Sequence, residues 1–189
     1  MKRIALVIDG HNHYATSKLI GLNTDYGKLA AWVSERGMLV RSLYYSMVEE
    51  SESGTRTVQP LLDWLDYNGF NVITKPMLIF ETADGRRKIT GSMHVEMTVD
   101  MLDLAPRLDE IVLVTGHGEM RAAVEAVQRR GVRVTVVSTI KTPSPQVSDD
   151  LRRQADEFVD LMTLVAIVAA PARAARTIIP GGACATAEG

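Results

Sequence analysis

The sequence predicts an α/β domain in which a central parallel sheet carries helices on both faces. Short runs of apolar, mostly β-branched residues, such as Arg3–Ile8 and Ile111–Val114, suit strands that are buried on both sides. Amphipathic segments alternate with these runs along the chain. Strand and helix patterns that alternate in this way are typical of parallel sheets, because each crossover helix returns the chain to the same end of the sheet.

The first half of the chain supplies three predicted strands. Arg3–Ile8 ends at Asp9, a residue that is poorly suited to a core because an ionised carboxylate is costly to bury. Asp9 therefore belongs either to a functional site or to the cap of a following helix. The remaining elements predicted here are a helix at Tyr26–Arg36 capped by Asp25, a strand at Met38–Ser46, a helix at Thr57–Asn68 and a strand at Phe70–Thr74.

A β-hairpin is predicted between Met77 and Ile89, because Asp84-Gly85 is a hairpin turn signal. The basic run Arg86, Arg87 and Lys88 follows that turn. It is interpreted either as a cationic arm that binds substrate or as an ordinary solvated face.

The second half of the chain continues the alternation. A helix is predicted at Ser92–Leu104, with Ser92 as its cap, and a short buried strand at Ile111–Val114 follows it. The later predictions are a helix at Arg121–Arg130, a strand at Val132–Ser138, a helix at Asp149–Ala155 capped by Ser148, and a strand at Asp156–Leu161. Residues 1–164 form the predicted domain, and residues 165–189 are an Ala-rich extension whose end, Thr177–Gly189, is expected to be disordered and to have no catalytic role.

Composition narrows the class of protein. The 189 residues suit one domain, and 21 basic against 23 acidic residues give a net charge of −2, so no global basic field favours nucleic acid. Cys184 is the single cysteine, which excludes an intramolecular disulfide. No apolar run is long enough to span a membrane. We expect a cytoplasmic protein without membrane association, and the sequence leaves open a possible homo-oligomer.

The polar residues of interest follow the predicted strands. His11 and His13 come after the first strand, His117 comes after the central one, and His94 begins the intervening helix. Ligands of open α/β sheets bind at the carboxyl ends of strands, and histidine is the commonest metal ligand. The alternative is that these are polar loop residues. His94 and Asp100 lie about 120° apart and about 9 Å along a helix, so they are poorly placed to bind one ion.

The order of these motifs resembles the NYN domain family, a PIN-like group. The matching segments are V-I-D-G-H-N at Val7–Asn12, H-V-E-M-T-V-D-M-L at His94–Leu102, L-V-T-G-H-G-E-M at Leu113–Met120 and A-D-E-F-V-D-L at Ala155–Leu161. The resemblance implies a PIN-like parallel sheet with an acidic site that binds Mg²⁺ or Mn²⁺ and, in many members, cuts RNA. Asp9, Asn12 and Asp100 match the family pattern, whereas His94, His117 and Glu119 stand where the family has Asp.

These departures shape the functional prediction. Hard Mg²⁺ prefers oxygen ligands, so two imidazoles favour Zn²⁺, Mn²⁺, Fe²⁺, Ni²⁺ or no metal. The first hypothesis is a metal-dependent hydrolase that acts on RNA or a small molecule; the second is a non-catalytic regulator or RNA-binding protein with a decayed site. The predicted catalytic residues are Asp9, His94, Asp100, His117 and Glu119; the predicted ligands of a divalent ion (Mg, Mn or Zn) are Asp9, Asp100, His117 and Glu119; the predicted substrate-binding residues are His11, Asn12, His13, Arg86, Arg87 and Lys88.

Overall fold

The computed structural model describes residues 1–48, 58–81 and 87–171, without the side chains of residues 78–81 and 87–90. The helices and strands of these segments are β1 Arg3–Asp9, α1 Gly10–Leu19, α2 Tyr26–Arg36, β2 Met38–Val48, α3 Gln59–Tyr67, β3 Asn71–Pro76, β4 Leu78–Glu81, β5 Arg87–Thr90, α4 His94–Leu104, β6 Glu110–Val114, α5 Arg121–Gln128, β7 Arg133–Ser138, α6 Asp149–Gln154, β8 Glu157–Asp160 and α7 Leu161–Val168. Single 3₁₀ turns at Ala105–Arg107 and Gly118–Met120 precede β6 and α5.

Six strands form one sheet in the order β3-β2-β1-β6-β7-β8, and every neighbouring pair in it is parallel. The predicted α/β class and its parallel sheet are therefore confirmed. All six strands end at the same edge of the sheet. β1 and β6 lie side by side at its centre, which puts Asp9 next to the loop that follows Val114.

The sheet separates two apolar cores. Alternate residues of β1 point to opposite faces, so Ile4, Leu6 and Ile8 join a core beneath α2, α3 and α7. Val7 joins the other core, to which α4, α5 and α6 contribute. Burial on both faces explains why the strand sequences are continuously apolar rather than alternating.

Several predicted boundaries agree closely with the structure. The helix predicted at Tyr26–Arg36 has those bounds, and the Asp25 carboxylate accepts a hydrogen bond from the Lys28 N–H as its cap. Ser148 likewise caps α6 by accepting from the Leu151 N–H. The Ser92 cap is wrong: α4 begins at His94, and its N-cap Met93 makes no capping bond through its side chain.

The sequence did not reveal α1 as a helix. Its buried residues are Gly10, His13, Thr16 and Ser17, which are small or polar, so no apolar stripe marks the helical period. The carboxylate of Asp9 accepts a hydrogen bond from the Asn12 N–H and caps this helix. The prediction that Asp9 caps a following helix is therefore confirmed.

The domain end predicted at residue 164 falls inside a helix. α7 runs from Leu161 to Val168, and both Leu164 and Val168 are buried in the core beneath the sheet. The fold therefore continues to Val168. The predicted disordered end, Thr177–Gly189, lies outside the described residues.

The predicted hairpin is present as an antiparallel pair. β4 and β5 pair with Leu78 opposite Thr90 and Glu81 opposite Arg87. The turn residues Asp84 and Gly85 lie outside the described residues. Across the described residues, none of the helices has the length and apolar character that crossing a membrane requires.

Candidate active site

Asp9, His94 and His117 meet at the carboxyl edge of the sheet. Asp9 is the last residue of β1, His117 lies in the loop after β6, and His94 begins α4. Because β1 and β6 are parallel neighbours, their ends bring Asp9 and His117 together, as the sequence predicted. The three side chains line a cleft of about 360 Å³, together with Met47, Gly91 and Glu119.

Asp9 is the buried anion of the site, only 5% exposed. Its Oδ1 accepts from the Asn12 N–H at 3.1 Å, and its Oδ2 accepts from the Thr115 hydroxyl at 3.1 Å. Burial raises the pKa of the Asp9 carboxyl, but the nearby His94 imidazole, the hydrogen bond from the Asn12 N–H and the charge of His117 together lower that pKa below its ordinary value. Asp9 is therefore ionised at neutral pH.

His94 lies between two carboxylates. Its Nε2 is 3.6 Å from Asp9 Oδ2, and its Nδ1 is 2.5 Å from Glu119 Oε2. The Asp9 carboxylate beside its Nε2 raises the pKa of His94; burial opposes this shift, and the hydrogen bond with Glu119 adds to it. When His94 is neutral, the Nδ1–H donates to Glu119, so the Nε2 lone pair faces Asp9.

His117 completes the cluster from the more exposed side. Its Nε2 is 3.9 Å from Asp9 Oδ2, and its ring centroid is 4.8 Å from that of His94. One ligand atom from each of Asp9, His94 and His117 lies within 4.8 Å of the other two. Two imidazoles and one carboxylate thus converge on one point.

Hydrogen bonds from backbone N–H groups to side-chain oxygens hold the loop after β6 in place. The Gly116 N–H donates to Asn12 Oδ1 at 2.9 Å, and the His117 N–H donates to the Thr115 hydroxyl at 3.3 Å. A Cβ at Gly116 would lie 1.6 Å from the carbonyl oxygen of Gln146, so only glycine fits there. Thr115 was missed in the sequence, although its place directly after a buried strand and two residues before His117 is a usable signal.

Asp100 and Glu119, which the sequence also offers as metal ligands, lie outside the three-residue cluster. Asp100 Oδ2 accepts a hydrogen bond from the Tyr45 hydroxyl at 2.7 Å and does not belong to the three-residue cluster. Its position on α4, six residues after His94, turns it away as the helical geometry predicted. Glu119 is 76% exposed and contacts the cluster through His94.

The two histidines of α1 that were predicted to bind substrate, His11 and His13, differ in their exposure to solvent. His11 is exposed and lines the cleft. His13 is 2% exposed, and its Nε2 lies 3.0 Å from the Thr24 hydroxyl and 3.4 Å from the Ser17 hydroxyl. Burial lowers the pKa of His13 to about 4, partly offset by the charge of Asp9. A substrate contact by His13 is therefore corrected to a role inside the fold.

The remaining predicted substrate contacts have different outcomes. The side-chain oxygen of Asn12 accepts a hydrogen bond from the Gly116 N–H, and this bond connects α1 to the loop after β6. Arg86 lies outside the described residues, and so do the side chains of Arg87 and Lys88, whose backbone belongs to β5.

The fold agrees with the comparisons with known proteins. The model of the NYN domain family matches residues 3–163, so this chain belongs to the NYN domain family and has its PIN-like α/β fold. The chain is 26% identical over 163 residues to the low amplitude and bright protein LabA of Synechococcus elongatus, covering 84% of this chain and 83% of LabA. It is also similar to the crystal structure of a protein of unknown function, VPA0982, from Vibrio parahaemolyticus, with 26% identity, a TM-score of 0.66, and coverage of 85% of this chain and 93% of that one. Membership of the NYN domain family supports a nuclease-like or RNA-related domain.

Proposed function

We propose that this protein is a metal-dependent hydrolase that cleaves phosphodiester bonds in RNA. The observation that carries the proposal is the convergence of Asp9, His94 and His117, whose ligand atoms lie within 4.8 Å of one another in an open cleft. The family supports RNA as the substrate, and the cluster supports retained chemistry, because a decayed site has no reason to keep three metal-binding side chains together.

The donor atoms decide which ion fits. Mg²⁺ prefers an octahedral set of oxygens, and this cluster offers one carboxylate and two imidazoles. Such a set suits borderline ions, Zn²⁺ and Mn²⁺ among those expected from the sequence. Two ligand atoms of a tetrahedral Zn²⁺ site lie about 3.4 Å apart. The separations of 3.6 Å and 3.9 Å from Asp9 Oδ2 to the two histidine nitrogens are close to that value.

The contacts around the cluster also suit a metal centre. Metal-ligating histidines commonly donate their second N–H to a carboxylate, and Glu119 accepts the Nδ1–H of His94 in this way. Thr115 and the start of α1 hold the Asp9 carboxylate in place through hydrogen bonds to both of its oxygens. Glu119 and Thr115 are therefore positioning residues for His94 and Asp9.

A divalent ion bound here supplies a Lewis acid and a water that ionises near neutral pH. The protein's own contribution is the negative charge of Asp9 at neutral pH, the orientation of His94 by Glu119, and access to solvent beside the half-exposed His117. The cleft in front of them holds the phosphodiester.

The test is metal binding by purified protein, stripped with a chelator and titrated with Zn²⁺, Mn²⁺ and Mg²⁺ by calorimetry. We expect one equivalent of Zn²⁺ or Mn²⁺ to bind more tightly than Mg²⁺. His94→Ala and His117→Ala should each remove this binding, whereas His11→Ala, which changes an exposed neighbouring histidine, should retain it. His117→Ala should also lower metal-dependent RNA cleavage by about tenfold to a thousandfold.

The pH dependence gives a second readout. A metal displaces the proton of His94, whose pKa is raised above 6.5 by Asp9 and Glu119, so affinity should be full above that raised pKa and fall as pH drops through it. A site of carboxylates alone would hold its metal until roughly pH 4 to 5. A wild-type protein that binds none of the three ions and cleaves no RNA would refute the hydrolase and favour a non-catalytic NYN protein.

A further inference from the structure

Three depressions lie next to one another along the surface beside α1. The cleft of the active site, about 360 Å³, shares His11 and Met47 with a second depression of about 410 Å³. That depression shares Tyr14 and Leu61 with a third of about 530 Å³. Neighbouring depressions therefore adjoin each other along α1, and we call the series of three the α1 trough.

One face of α1 forms the wall of this trough. His11, Tyr14 and Lys18 are spaced three and four residues apart, so they lie on the same side of the helix and extend about 10 Å along it. All three are exposed, and Tyr14 keeps 64% of its surface accessible. The opposite side of α1 carries the buried residues, so this face has no part in the core.

The chemistry of that face suits a polyanion with aromatic groups. Tyr14 offers an exposed aromatic ring, and Lys18 lines the outermost depression with an ammonium group. α1 contains no Asp or Glu, in a chain that has 23 of them. Proteins bind single-stranded nucleic acid through this combination of aromatic platforms for the bases and cations for the phosphates.

We propose that the α1 trough binds the part of a single-stranded RNA that leads away from the cleaved phosphodiester. Tyr14 stacks on a base beside the active site, and Lys18 contacts a phosphate further out. The inference rests on the proposed function for its substrate, and it places the binding surface on α1 rather than on the β4–β5 hairpin. The row of depressions that extends beyond the cleft argues for a polymer, because a small molecule needs only one of the three.

The experiment measures binding without cleavage. A fluorescently labelled heptanucleotide of single-stranded RNA is titrated with protein in the presence of a chelator and followed by anisotropy. Tyr14→Ala should weaken binding by about 5- to 150-fold, the range expected for one stacked base, and Tyr14→Phe should retain the affinity because it keeps the ring. Tyr67→Ala, which removes a tyrosine of α3 that is 90% exposed, is the matched control.

The salt dependence tests Lys18 separately. Each phosphate contact to a single strand contributes about −0.7 to the slope of log affinity against log salt, so Lys18→Ala should reduce the slope by about that amount. Arg107→Ala is the control, because Arg107 is exposed and precedes β6 at the opposite edge of the sheet.

The outcomes separate this proposal from the hydrolase. A heptanucleotide that binds no more tightly than a mononucleotide, or binding that Tyr14→Ala leaves unchanged, would overturn the α1 trough even if the protein cleaves RNA. Binding that depends on Tyr14 in a protein that cleaves no RNA would uphold the trough and refute the hydrolase.

Discussion

His13 gives a quantitative test of which histidines belong to the fold and which to the site. It is buried in α1 beside Thr24 and Ser17, and burial lowers its pKa to about 4 from an ordinary 6.5. The unfolded chain therefore binds a proton at this position more readily than the folded protein does. Stability from His13 is complete above pH 6.5 and is lost progressively as pH falls towards 4.

The size of the effect follows from the two pKa values. Between pH 7 and pH 5 the unfolded histidine becomes almost fully protonated while the folded one stays mostly neutral, which costs about 2 kcal/mol of unfolding free energy. Asp9, whose pKa is lowered, loses its contribution only below about pH 4, outside this interval. The raised pKa of His94 makes the protein less stable as pH rises above 6.5, so His94 cannot produce a loss of stability on acidification.

The assay is urea unfolding at pH 7 and pH 5 for the wild type and for His13→Gln, which keeps a polar group and removes the titration. The wild type should lose about 2 kcal/mol more than the variant between the two pH values. His11→Gln, which changes an exposed histidine on the same helix, should lose as much as the wild type. Equal losses in the wild type and in His13→Gln would refute the reasoning and return His13 to the list of candidate substrate contacts.

Two further predictions concern the metal cluster. Glu119→Ala should weaken Zn²⁺ binding by about tenfold, which is at the low end for a group that orients a ligand, because Glu119 is 76% exposed. Calorimetry measures this loss, with Glu125→Ala as the control. A loss as complete as in His94→Ala would show that Glu119 is itself a ligand. The double variant His94→Asp, His117→Asp restores the carboxylates of the family, so its RNA cleavage should shift in preference from Zn²⁺ or Mn²⁺ towards Mg²⁺. Cleavage assays with each ion measure that shift, and an unchanged preference would show that these two residues do not choose the ion.

Much of the fold was predictable because it is governed by local patterns. Buried parallel strands are continuously apolar, amphipathic helices repeat every 3.6 residues, and the Asp25 and Ser148 caps are short-range signals. The meeting of Asp9 and His117 was also predictable, because parallel strands end at the same edge of a sheet.

The role of each histidine was decided by tertiary structure. His11 and His13 look equivalent in sequence. Residues two positions apart in a helix lie about 200° apart around its axis, so His11 faces solvent and His13 faces the core. The helix itself was hidden, because its buried side is polar and small. The His13 ring on that side is bonded to Ser17 one turn along the helix and to Thr24 outside it, and the contact with Thr24 depends on packing.

The sequence by itself determined the α/β class, the edge of the sheet at which the polar residues gather, and the identities of Asp9, His94 and His117. Only the tertiary structure decided that these three share one centre and that Asp100 pairs with Tyr45. Tyr45 is the register partner of Asp9 on β2, and its hydroxyl reaches across to α4 and donates to Asp100. Such pairings depend on how a helix is placed against a sheet, which is set by the packing of the whole core and not by the spacing of residues within one element.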